Sequence, residues 1–152
     1  MKRIGLAVSD DAGFFAAPYA TRENKIGRKG QAAVLADLME TISALGIEAI
    51  VLGLPRGSSG EVSEMETHTR AFGQTLQHTL EKAKLSIEIY WQDERFSTAQ
   101  VLRNLRTAGV SQKTAREATG NDSIDARAAA IILQDFLDTQ KLRQSWQSEA
   151  EI

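Results

Sequence analysis

Hydrophobic residues in this 152-residue chain fall into short apolar runs separated by longer stretches of helical spacing. The runs at 3–8 and 48–55 are nearly continuous, which is typical of strands buried in a sheet. Residues 85–91 alternate between apolar and polar side chains, and this period of two predicts a strand with two unlike faces. A weaker strand pattern covers 16–22. The chain therefore has the strand content of a small sheet.

Helical patterns lie between these strands. Apolar residues recur at steps of three and four from 31 to 45, and Gly46 is placed to end that helix. Ser63 and Glu66 have the spacing of a capping box, which predicts a helix running to about residue 83. Ser97 and Gln100 repeat this spacing, so a third helix is expected before Gly109.

The last helix is predicted from about Ser123 to Leu142, followed by a polar tail. Strands that alternate with helices predict an α/β fold with a parallel or mixed sheet between helical layers. The length suits one folding unit, which we expect to span 1–142. Residues 143–152 are polar apart from Trp146 and Ile152, so we expect a flexible tail.

The amino-acid composition excludes several kinds of catalytic, metal and cross-linking site. The chain has no cysteine, which excludes disulfides, thiolate zinc sites and a cysteine nucleophile. It shows no signal-peptide pattern and no apolar run of membrane-spanning length, so a soluble cytoplasmic protein without a membrane partner is expected. A net charge of -2 gives no overall attraction for nucleic acid. A nucleic-acid partner would need a local basic patch, for which the candidates are Arg28, Lys29, Arg56, Arg103, Arg106, Lys113 and Arg116.

Two acidic motifs carry the candidate chemistry. Asp93, Glu94 and Arg95 follow a predicted strand, at the kind of sheet edge where ligands and catalytic groups collect. The same residues also fit an ordinary charged loop. Asp125 stands at the head of an apolar stripe on the last helix, formed by Ala128, Ala129, Ile132 and Phe136. An aspartate in a first turn also complements the helix dipole, but the dipole does not explain its place on the buried face.

Carboxylates on two separate elements suggest a divalent-cation site. Mg²⁺ and Mn²⁺ prefer oxygen ligands and leave room for phosphate and water, so such a site would suit phosphodiester hydrolysis. Asp122 and Asp135 lie off the apolar stripe, and we expect them to be capping and surface groups. Sites of this kind usually contain a third carboxylate, which these two motifs do not provide.

Four segments in order resemble the YqgF/RuvX family: 3–10 (RIGLAVSD), 51–55 (VLGLP), 93–98 (DERFST) and 124–134 (IDARAAAIILQ). Each motif is weak alone, but four in order at suitable spacing are specific. The resemblance implies an RNase H-like three-layer fold and a Mg²⁺- or Mn²⁺-dependent nuclease in the bacterial cytoplasm that processes the 5′ end of pre-16S rRNA. It also implies possible action on branched DNA, by analogy with Holliday-junction resolvases.

Carried over by position, the resemblance implies roles for individual residues. Glu94 and Asp125 would be metal ligands, Asp93 a further catalytic or supporting group, and Arg95 a contact to phosphate or carboxylate. Arg56 and Arg103 are the other expected nucleic-acid contacts.

The chain departs from the family pattern at its start. Family members open with a strand of the form Gly-x-Asp-x-Gly, whose aspartate is a central metal ligand, and Met1 falls after that strand. We expect either that the start of this chain is placed too late or that this member of the family has impaired activity. Asp10 is no replacement, since it lies about 20 Å too far along a strand at 3.3 Å per residue.

Two other functions fit parts of the sequence. A ribosome-assembly factor that binds RNA without cleaving it would use the basic residues Arg103, Arg106, Lys113 and Arg116. A small-molecule enzyme with a phosphate loop at 55–60 fits poorly, because that loop lacks both the Gly-Lys-Ser/Thr ending and the Gly-x-Gly-x-x-Gly pattern.

Overall fold

The computed structural model describes residues 3–25, 27–57, 60–94, 98–107 and 123–150, with the backbone alone for 103–107 and 149–150. The elements in chain order are β1 (Arg3–Ser9), β2 (Ala16–Glu23), α1 (Arg28–Leu45), β3 (Ala49–Leu54), α2 (Glu64–Lys82), β4 (Glu88–Asp93), α3 (Thr98–Thr107) and α4 (Ile124–Ala150). Their alternation confirms the predicted α/β class. Within the described ranges, no helix combines the length and the apolarity needed to cross a membrane.

The chain divides into two compact units. The first contains Met1–Ile4 and Arg22–Ser97, and the second contains Gly5–Thr21 and Thr98–Ile152. The single domain predicted for 1–142 stays a prediction, and each unit is described by itself.

The first unit is built on the parallel pair β3–β4. The two strands run in register from Ala49 opposite Glu88 to Leu54 opposite Asp93. Helices α1 and α2 bury the apolar faces that their spacing predicts, with core residues Val34, Leu35, Leu38, Ile42, Phe72, Leu76 and Leu80. Gly46 ends α1 in the left-handed conformation, as its position after the last apolar residue indicates.

The second unit contains the tip of the β1–β2 hairpin and the pair of helices α3 and α4, which pack together. Six residues, 10–15, connect the hydrogen-bonded strands β1 and β2, a length that requires a hairpin. Asp10 closes the connection: its N–H donates to the Phe15 carbonyl at 3.0 Å, and its carboxylate accepts from the N–H groups of Phe14 and Phe15 at 2.7 and 3.1 Å.

The predicted bounds of β4 and α4 are wrong. Strand β4 covers Glu88–Asp93 and not 85–91, because the N–H of Leu85 donates to the Leu80 carbonyl and so caps the end of α2. Lys84 turns the chain there with φ of 58°. Helix α4 continues to Ala150, past the predicted end at Leu142, since the segment holds no glycine or proline that would stop it.

Candidate functional site

The first acidic motif lies where the parallel strands β3 and β4 end. Asp93 is the last residue of β4, opposite Leu54, and the N–H of Glu94 donates to the Leu54 carbonyl at 3.1 Å. This bond extends the sheet ladder by one residue and fixes the backbone of Glu94. The Glu94 side chain is 1% exposed. The structure therefore buries this carboxylate in the first unit, whereas a solvated charged loop would expose it.

Arg56 follows β3 at the same edge and contacts two carboxylates. Its guanidinium lies 3.5 Å from Asp93 Oδ2 and 3.8 Å from Glu66 Oε1, and the side chain is 37% exposed. The role predicted for Arg56 in binding nucleic acid stays a prediction. The observed contacts show that Arg56 also links the end of β4 to helix α2.

Glu66 and Arg70 join this cluster although the sequence did not suggest them. Glu66 is 2% exposed and accepts from Arg70 Nη2 at 3.0 Å and Nε at 3.2 Å. The spacing of Ser63 and Glu66 predicts a capping box. Ser63 does cap α2, accepting from the Glu66 N–H at 3.1 Å, but the Glu66 carboxylate is directed to the two arginines. The Glu-Arg spacing of four residues was the available signal.

The second acidic motif lies in the first turn of α4. Asp125 is 8% exposed and shares its buried face with Ala128 and Ile132, as the stripe predicted, while Asp135 is exposed. Ser123 caps the helix, because its hydroxyl accepts from the Ala126 N–H at 3.0 Å. This arrangement sets the direction in which the first turn presents Asp125.

Strands β1 and β2 hold this turn in place. The Thr21 hydroxyl hydrogen-bonds the Ser123 hydroxyl, so β2 positions the cap. On β1, a Cβ added to Gly5 would lie 2.0 Å from the Asp125 carbonyl oxygen. Only glycine allows this approach of strand to helix. Gly5 and Ser123 lie within sequence motifs, but nothing in their spacing predicts that they support Asp125.

Several residues predicted from the sequence lie outside the described residues: Arg95, Ser97, Gly109, Lys113, Arg116 and Asp122. Two more, Arg103 and Arg106, are described only as backbone in α3. Asp10, in contrast, has a structural role in the hairpin. Backbone N–H donation, first from Phe15 and then from Phe14, holds the pKa of the Asp10 carboxyl below its ordinary value.

Glu94 in the first unit and Asp125 in the second each have the donor chemistry that a hard divalent cation prefers. Both are carboxylates, both are buried, and the chain contains no thiol to favour a softer metal. Among the residues that the structure describes, no group of three or more His, Cys, Asp or Glu side chains is arranged to hold an ion. Mg²⁺ is commonly bound by one or two carboxylates, with water and substrate phosphate completing its ligands.

Comparison with known proteins identifies the family. Residues 1–139 match the family described as "RuvX: Holliday junction resolvase". The chain is 36% identical over 137 residues to a Moorella thermoacetica protein described as "Putative pre-16S rRNA nuclease", covering 90% of this chain and 88% of that protein. A Protochlamydia amoebophila protein with the same description is 35% identical over 146 residues, covering 92% and 89%. The chain belongs to the RuvX family, which confirms the resemblance seen in its four motifs.

The chain also matches a solved structure over most of its length. Thermus thermophilus RuvC in complex with a Holliday junction substrate matches 92% of this chain and 90% of its own, at 14% identity and a TM-score of 0.49.

Proposed function

We propose that this protein is a divalent-metal nuclease that hydrolyses phosphodiester bonds at the 5′ end of pre-16S rRNA in the bacterial cytoplasm. The observation that supports this proposal most strongly is the burial of two carboxylates, Glu94 at 1% exposure and Asp125 at 8%. The relatives of this chain are named as nucleases. Burying a carboxylate is unfavourable, and such residues are often functional. We assign both as ligands of Mg²⁺ or Mn²⁺.

The backbone that carries each carboxylate is held by contacts that do not depend on a bound ion. The hydrogen bond to the Leu54 carbonyl fixes the Glu94 backbone. The first turn of α4 is fixed by the Ser123 cap and by the close packing of Gly5 against the Asp125 backbone. Prior positioning of this kind lowers the cost of organising a site. When bound, a divalent ion would activate water and neutralise charge on the phosphate.

The arginines that contact Asp93 and Glu66 suit a polyanionic substrate. Arg56 and Arg70 keep 37% and 49% of their side chains exposed while contacting buried Glu66. Each guanidinium therefore has donors left for phosphate oxygens. Asp93 contacts Arg56 and is assigned to orient it, a supporting role and not that of a ligand.

The substrate is tested by incubating the protein with a 16S precursor carrying its 5′ extension, in Mg²⁺ or Mn²⁺, beside the mature 5′ end as control. Removal of the extension, abolished by chelation, is the expected result. Intact precursor in both metals would contradict the proposal.

The family description favours a second candidate, hydrolysis of branched DNA. A four-way DNA junction and a linear duplex of the same arms separate the two functions in the same assay. Symmetrical cleavage of the junction, with the RNA precursor left intact, would establish the second function in place of the first.

A further inference from the structure

Trp91 is an exposed aromatic residue two positions before Asp93 on β4. The side chain is 40% exposed. Residues two apart on a strand share a face and lie about 7 Å apart. The indole therefore stands beside the acidic edge of the first unit.

Helix α2 holds this indole in one position. A Cβ added to Gly73 would lie 2.5 Å from Trp91 Cη2 and 2.7 Å from Cζ2, so the glycine makes space for the ring. Arg70 lies one turn earlier on α2, with its guanidinium carbon 5.8 Å from the ring centroid. This is a cation–π pair, and Arg70 is anchored in turn by buried Glu66.

An open groove of about 400 Å³ adjoins the indole. This volume lies in the range of small-molecule sites. Gln74, Gln77 and His78 supply polar groups along the groove, and Gln77 donates to Glu81 at 3.3 Å at its far end. The aromatic ring of Trp91 suits the flat face of a nucleobase, and the amide and imidazole groups suit its polar edge.

We propose that Trp91, with Arg70 and the groove along α2, binds one unpaired base of single-stranded RNA, while Arg56 and Arg70 contact its backbone. The inference rests on the proposed nuclease function and adds a stacking subsite on the face of β4 that carries Asp93. Aromatic stacking combined with cationic groups is the general means by which proteins bind single strands. A duplex keeps its bases paired and cannot offer a face to Trp91.

Tryptophan fluorescence tests this directly, because the chain has two tryptophans and Trp146→Phe leaves Trp91 as the single indole. In EDTA, an unstructured RNA of about ten nucleotides should quench its emission, and the matched duplex should not. Unchanged emission at an RNA concentration that saturates binding by fluorescence anisotropy would overturn the proposal, as would failure of the RNA to bind. Emission that depends on protein concentration without RNA would identify self-association through Trp91 instead and overturn it.

Variants separate stacking from simple charge. Trp91→Leu and Arg70→Gln should each weaken RNA binding about tenfold, whereas Trp91→Phe keeps a ring and should lie within about threefold. Lys82→Gln, which removes a charge from the far end of the same helix, should bind normally. Equal binding by Trp91→Leu and Trp91→Phe, with both variants folded by circular dichroism, would refute the stacking role.

The subsite and the nuclease function fail in different ways. Quenching in EDTA needs no metal, so Glu94→Gln should retain it. If the subsite is wrong, quenching is absent although cleavage in Mg²⁺ remains. If the nuclease assignment is wrong, quenching remains and cleavage is absent.

Discussion

Gly5 on β1 lies against the backbone of Asp125 so closely that an added Cβ would stand 2.0 Å from the Asp125 carbonyl oxygen. The neighbour is backbone and cannot move aside as a flexible side chain could. A strand residue with no chemistry of its own thereby determines where a candidate metal ligand is placed.

Gly5→Ala should therefore destabilise the fold by about 3 kcal/mol through overpacking, and should lower nuclease activity by displacing Asp125. Gly13→Ala is the matched control. Gly13 has φ of 72° with no atom near its missing Cβ, so alanine there should cost only about 1 kcal/mol of backbone strain. Urea denaturation of both variants measures the difference, and equal losses would contradict the steric account.

Ser123→Ala should lower the stability of the protein by about 1 kcal/mol, because the Ala126 N–H loses its capping acceptor. The Thr21 hydroxyl loses its partner in the same variant. Ser123→Thr keeps a hydroxyl and should recover part of the loss. The check is the urea midpoint of both variants. A Ser123→Ala variant as stable as the parent would show that the cap contributes nothing.

Glu66→Gln should cost about 1–2 kcal/mol, since the Arg70 guanidinium would then bond to a neutral amide oxygen in place of a carboxylate. The substitution also releases Arg56 and Arg70 from a shared anchor. RNA binding should become weaker even though a negative charge has been removed, and anisotropy titration measures this. Tighter binding would indicate that Glu66 acts only by repelling the nucleic acid.

The stability of the hairpin depends on pH through the carboxyl group of Asp10. Its pKa is lowered in the folded state, so its contribution to stability is full above the ordinary carboxyl pKa and is lost as pH falls through the folded value. Asp10→Asn should show a smaller drop in Tm between about pH 5 and pH 2 than the parent. Asp11→Asn, an exposed neighbour, is the control. Parallel Tm curves for Asp10→Asn and the parent would contradict this assignment.

Much of the fold was predictable because local signals agreed with one another. The alternation of apolar runs and helical stripes located every described element, and Gly46 and Ser63 marked helix ends through local conformation and capping. The boundaries of β4 and α4 failed for opposite reasons. Leu85 is apolar in sequence but its N–H closes α2, and the polar tail after Leu142 has helix-forming residues that its low hydrophobicity concealed.

The candidate site was predictable only in part. The burial of Asp125 followed from its helical stripe, whereas Glu94 was assigned as a ligand only through the family resemblance and its burial was not predicted. The supporting contacts join residues far apart in sequence, such as Thr21 with Ser123 and Gly5 with Asp125. No local periodicity encodes such pairs. Trp91 was counted as one apolar position in a strand, and its exposure became visible only once β4 and α2 were in place.

The central claim is that Glu94 and Asp125 bind the divalent metal needed for cleavage. The most direct measurement is the rate of Mg²⁺-dependent cleavage of the 16S precursor by Glu94→Gln and Asp125→Asn, beside the exposed controls Glu40→Gln and Asp135→Asn. The proposed function predicts losses on the order of 100-fold or more for the first pair and parent rates for the second. Cleavage by Glu94→Gln and Asp125→Asn at the rate of the two controls would contradict it.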